Sequence, residues 1–147
     1  MVRYNELVNT IELFVTNHNY FKGFGHGSIE YIDAAVNRGY PLLFMRPMSS
    51  PGLTGVDGRQ RELTFEFYSL DVPKLADEDM RIVLNNTEQG LYDMYAYILD
   101  GPVQYPLQIT MSNLVPLVEA FQDKAVGWLM TATIITDSRE ISYCDIA

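Results

Sequence analysis

The chain is short of positive charge, has one cysteine and contains no long apolar run. Each shortage closes off a class of protein. Lys and Arg number 10 against 19 Asp and Glu, a net charge of −9. A nucleic-acid clamp neutralises phosphates with clustered cations, and this chain has too few to build one. Cys144 stands alone, which excludes an internal disulfide and points to a reducing compartment. No stretch approaches the roughly 20 apolar residues that span a bilayer. Met1-Val2-Arg3-Tyr4-Asn5-Glu6 turns polar too early to open a secretory signal. With only His18 and His26, general-base chemistry has few places to sit.

What is present suits one globular domain spanning residues 1–147. A domain of this size buries roughly 70% of its unfolded surface, so it holds a core without staples. Hydrophobic residues make up 48% of the chain, enough for that core. Leu7, Ile11, Phe14, Val15 and His18 recur at helical spacing and predict a first amphipathic helix over Asn5–His18. The glycines of Lys22-Gly23-Phe24-Gly25-His26-Gly27 then predict a flexible connector. Ser28 can cap a short second helix carrying Ile29, Ile32, Ala35 and Val36, although a strand also fits there.

Tyr40-Pro41-Leu42-Leu43-Phe44-Met45-Arg46 reads as a strand with Pro41 at its start. From Pro47 to Gln60 the chain is rich in Gly, Pro and Ser, too long for a tight turn, and joins two strands. That predicts a protruding hairpin arm over residues 47–60. Arg61 to Val72 alternates as a strand through Leu63, Phe65 and Phe67. The apolar parity then shifts to Leu70 and Val72, which predicts a bulge at Tyr68 or Ser69. Met80, Leu84, Thr87, Leu91, Met94 and Ile98 form one stripe of a long helix, with Asp77-Glu78-Asp79 at its N-terminus and Asp100-Gly101-Pro102 as its stop. Gly90 and Asn85-Asn86 weaken its middle. Tyr105–Met111 and Leu114–Phe121 predict two strands, interrupted by Pro106 and Pro116. The β-branched, Thr-rich stretch Ala125–Asp137 predicts a long late strand, and Glu140–Cys144 a last extended segment. The resulting fold class is α+β: a mixed or antiparallel sheet packed against a long helix, with an N-terminal helix and a hairpin arm. Phe65, Phe67, Leu84, Leu91, Met94 and Trp128 are expected in its core.

The residues offer no catalytic, cofactor or metal set. Gly23–Ser28 lacks the Gly-Lys-Ser/Thr ending of a phosphate loop and follows a helix. His26 and Ser28 lack a nucleophile elbow. Asp77-Glu78-Asp79 lacks calcium-loop spacing. Cys144 has no basic neighbour in sequence to activate it.

The order of elements is helix, strand, protruding loop, strand, long helix, then strands ending in a Gly-Trp strand and a late Cys. Within it, Tyr40-Pro41-Leu42-Leu43-Phe44 opens one strand and Leu70-Asp71-Val72-Pro73 ends the next. Asp123-Lys124-Ala125-Val126-Gly127-Trp128 opens the late strand, and Tyr143-Cys144-Asp145-Ile146 closes the chain. This arrangement resembles the tail-terminator and tail-completion proteins of tailed bacteriophages and the related head–tail neck ring proteins. The resemblance implies a non-catalytic virion protein, made in the host cytoplasm, that forms a six- or twelve-fold ring around the DNA channel. Its neighbours would be neck, portal or tail-tube proteins, and DNA would pass without specific binding, helped by an acidic lumen. The expected subunit contacts are Ser49, Ser50, Pro51, Leu53, Thr54, Val56 and Arg59 on the arm and Tyr92 and Tyr95 on the long helix. Two other classes fit the bare residues: a small α+β ligand-binding domain or enzyme, and a non-viral assembly adaptor.

Overall fold

The strand with the clearest alternation becomes the centre of a sheet. In the computed structural model, which describes residues 4–28, 32, 39–54, 60–73, 77–100, 107–120 and 124–137, the elements run α1 (Tyr4–Asn17), β1 (Gly23–His26), β2 (Leu42–Thr54), β3 (Gln60–Asp71), α2 (Asp77–Asp100), β4 (Leu107–Ala120) and β5 (Ala125–Asp137). The described strands form one sheet in the order β1-β2-β3-β5-β4. β1 pairs parallel with β2, and every other pairing is antiparallel. The fold is α+β with a mixed sheet against a long helix, as the patterns predict.

The helices α1 and α2 lie on one face. Leu7, Ile11, Phe14 and Val15 of α1 and Leu91, Met94 and Ile98 of α2 share a core with Leu43, Met45, Phe65, Phe67, Met130 and Ile134 of the strands. Phe65, Phe67, Leu91 and Met94 are fully buried there, as expected. Leu84 and Trp128 are only partly buried. Trp128 instead donates its indole N–H to the Leu84 carbonyl at 2.8 Å, so its polar edge ties β5 to α2.

The parity shift at the end of β3 has a different cause from the expected bulge. β3 keeps an unbroken register against β5, and against β2 from Phe65 to Leu70. Tyr68 and Leu70 point to the opposite face, where a second core gathers Ile32, Leu42, Phe44, Tyr68, Leu70 and Ala125. Ser69 is fully buried, and its hydroxyl donates to the Thr87 carbonyl of α2 at 2.8 Å. The shift therefore marks the point where the sheet becomes buried on both faces. Further along, the second face is polar: Arg46 pairs with Glu66 at 2.9 Å, and Thr64 bonds Thr133 across the strands at 3.2 Å.

The other corrections follow from tertiary pairing overriding local preference. The predicted connector at Gly23 to His26 is strand β1, whose Phe24 is buried in the first core, and Gly27 ends it at φ 112°. Residues 47–54 of the predicted arm continue β2 with two register shifts, and the hairpin closes as far as Thr54↔Gln60. Residues 55–59 lie outside the described residues, as do most of the short second helix and the last segment from 138 onward. β5 runs beside β3 to Asp137↔Gln60, so the described part of the arm has a third strand alongside it. The two strands predicted over Tyr105–Met111 and Leu114–Phe121 are one, β4. Among the described residues it pairs only with β5, and a strand unpaired on one side tolerates a residue without an N–H. Gly90 does not break α2. A Cβ there would lie 2.5 Å from Phe21 Cζ, so the glycine gives the buried Phe21 ring its seat on the helix.

Candidate functional site

The described surface offers three kinds of feature: polar anchors between elements, open grooves, and exposed apolar side chains. His18 is the most reactive-looking anchor. Its Nε2 lies 2.8 Å from Asp93 Oδ2, and Gln89 donates to the other Asp93 oxygen at 2.8 Å. The backbone N–H of Tyr20 donates to His18 Nδ1 at 3.2 Å. Both ring nitrogens are thus committed inside the protein, and the ring sits between Phe14 and Phe21. The arrangement fastens the end of α1 to α2, and it matches the boundary position that His18 takes on the helical stripe.

A second anchor joins Tyr20 to the end of β3. The phenol donates to Asp71 Oδ2 at 3.1 Å, while Asp71 Oδ1 accepts the Val72 N–H at 2.8 Å. Desolvation, then the Asp71 charge and its hydrogen bond, push the Tyr20 phenol far above its ordinary value of 10.0. A raised folded pKa favours the folded state while the phenol is protonated, so this contribution is complete below about pH 10 and fades as pH climbs above it. Tyr20→Phe should destabilise the protein by about 1.5 kcal/mol at pH 7. It should also flatten the loss of stability above pH 10. Urea unfolding at pH 7 to 11 measures both, and an unchanged alkaline slope would remove Tyr20 as its source.

A groove of about 300 Å³ opens beside the N-terminus of α1, lined by Tyr4, Pro47, Met48, Arg61, Leu63, Thr64 and Phe65. Tyr4 is held by a bond between its hydroxyl and His26 Nδ1 at 3.1 Å and by stacking on Phe65. Met48 is 47% exposed. Among the described residues no group of His, Cys, Asp and Glu gathers as a metal would require.

The predicted contact residues divide. Ser49, Ser50, Pro51, Leu53 and Thr54 fall on β2 along the hairpin, whereas Val56 and Arg59 lie outside the described residues. Tyr92 is exposed on the outer side of α2. Tyr95 packs against the first core, so the two tyrosines do not share one outer surface. Sequence reasoning missed the larger apolar exposures. Ile82 and Leu99 join Tyr92 on the outside of α2, and Val115 and Val118 stand out from β4. Ile82 and Leu99 were detectable as apolar residues off the helical stripe. No helix among the described residues is long and apolar enough to cross a membrane.

The fold and these surfaces define an α+β domain with α1 and α2 on one face of a mixed sheet. No protein-family model and no curated protein matches this chain.

Proposed function

We propose that this chain is a structural subunit of a tailed-phage neck or tail, assembled head to tail into a ring around the DNA channel. The observation that carries the reading is the presence of exposed apolar side chains on two unlike elements of one small domain. One is β4, the last strand of the sheet among the described residues, with Val115 and Val118 at 46% and 54% exposure; the other is the outer side of α2 with Ile82, Tyr92 and Leu99. A closed heterologous ring needs such a pair, because each subunit presents one patch forward and the other back. The motifs that carry the resemblance lie at strand ends: Leu42 to Phe44 begin β2, Leu70 and Asp71 end β3, and Ala125 to Trp128 begin β5. The net charge of −9 suits a channel that DNA must slide through without lodging.

The test is direct. The purified protein, viewed by negative stain over rising concentration, should give rings with a central hole. Particles made without it should contain capsids and tails that fail to join, or capsids that leak DNA. Fully infectious particles, or a monomer stabilised by a small ligand, would overturn the assignment.

A further inference from the structure

The chain's two histidines stand at the two ends of β1, and their partners answer a second ring proton differently. His26 Nδ1 meets the Tyr4 hydroxyl at 3.1 Å. A hydroxyl donates or accepts, so that contact survives protonation with its direction reversed. His18 Nδ1 meets the backbone N–H of Tyr20 at 3.2 Å, and an N–H only donates. That bond requires a bare lone pair on Nδ1, which puts the ring proton of His18 on Nε2, facing Asp93 Oδ2 at 2.8 Å. A second proton has only Nδ1 to go to, and there it points straight at the Tyr20 N–H.

We infer that His18 is an acid-sensitive latch on the corner between α1 and β1: protonation of Nδ1 expels the Tyr20 N–H, while the Asp93 contact keeps the ring on α2. The ring is 16% exposed, so solvent protons reach it. The groups around it set how the latch works. Asp93 of α2 touches the ring directly and gains a full ion pair when the ring is charged. Glu12 of α1 and Lys22 of the corner line the same groove as the ring, and β1 brings Gly23 and Phe24 there, neither of which titrates. Tyr20 faces the ring with its N–H and turns its phenol to Asp71 of β3. Phe14 and Phe21 cover the ring, and Tyr97 of α2 lies against Phe14. Acid therefore leaves α1 clamped to α2 and Phe21 seated on Gly90, and loosens the backbone at Tyr20. The next backbone ties are the N–H groups of Lys22 and Gly23, which share the Pro41 carbonyl and lead into β1. The latch belongs to the single subunit, so it stands or falls separately from the ring.

Amide hydrogen exchange of the full chain, followed by NMR and divided by the intrinsic rate at each pH, reads the latch. The His18 ring resonances report its protonation in the same samples. Between pH 8 and 5, where histidine side chains change charge, Tyr20 protection should fall about three- to tenfold as the His18 ring becomes charged, the loss of one hydrogen bond. The amides of Phe67 and Met130, in the two central strands, should keep theirs. His18→Asn supplies a side-chain oxygen two residues before the Tyr20 N–H, the geometry of an Asx turn, and cannot be protonated. In that variant Tyr20 protection should be the same at pH 8 and pH 5. An acid loss that persists in His18→Asn would come from the carboxylates of Glu12, Asp71 or Asp93 and would overturn the proposal. So would a Tyr20 amide that stays protected while the His18 ring is charged, or a ring that stays neutral down to pH 5.

Discussion

Gly127→Ala should be the most damaging single methyl that can be added to this sheet. Gly127 is buried and pairs with Leu70 between the two central strands. A Cβ built on it overlaps the backbone carbonyl oxygen of Ser69 and crowds the Leu70 Cα. A side chain in the way can rotate, but a backbone carbonyl in a continuous ladder moves only if β3 and β5 separate. That separation also disturbs two ties between sheet and helix, because Ser69 holds the Thr87 carbonyl and neighbouring Trp128 holds that of Leu84. The expected loss is about 3 kcal/mol or more, at the upper end of overpacking effects. For a domain of this size it lowers the melting temperature by roughly 6–12 °C. Thr133→Ala on the same strand removes only a cross-strand hydroxyl bond and should cost about 0.5–1 kcal/mol. Equal melting temperatures for the two variants would show that the strands part at no cost.

Gly127 also illustrates what can be read from sequence. Its strand was plain from the β-branched run around it, yet nothing local distinguishes a glycine that breaks a strand from one that admits a neighbouring carbonyl. The same holds in α2. The four-three spacing from Met80 to Ile98 marks the helix and its buried stripe, but Gly90 reads as a weakness until Phe21, distant in sequence, is seen against it. Period alone placed Phe65, Phe67, Leu91 and Met94 in the core because each sits on a face that tertiary structure covers once. It misread Tyr68 and Leu70, because a sheet covered on both faces at one end breaks the two-residue rhythm without any change in backbone. Of the candidate contact surface, the hairpin and Tyr92 were visible as a Gly- and Pro-rich insertion and an off-stripe aromatic. The extent of β4 was hidden, since a break at Ser112-Asn113 divided it into two short strands on paper and the pairing with β5 joins them.

That strand carries the second large effect. Lysine on an exposed strand edge opposes edge-to-edge contact, because another chain would have to desolvate the ammonium. Val115 and Val118 are about half exposed, so Val115→Lys with Val118→Lys should leave the monomer's stability within about 1 kcal/mol. Under the ring reading, each interface should lose about 2 kcal/mol, which is roughly a 30-fold weaker contact. A closed ring contains this interface once per subunit, so a six-membered ring loses ~12 kcal/mol and should not form at concentrations where the parent does. Tyr92→Lys, on the outer side of α2, should have a similar effect through the other patch. Leu13→Lys, on the exposed side of α1, should assemble normally. Mixing the β4 variant with the Tyr92 variant gives the sharpest result. Each keeps one intact patch, and the intact patches are of opposite kind, so the two proteins can join once and then stop. Light scattering should report one-to-one dimers and no rings. Rings in the mixture, or dimers formed by either variant alone, would mean that β4 and α2 do not meet head to tail.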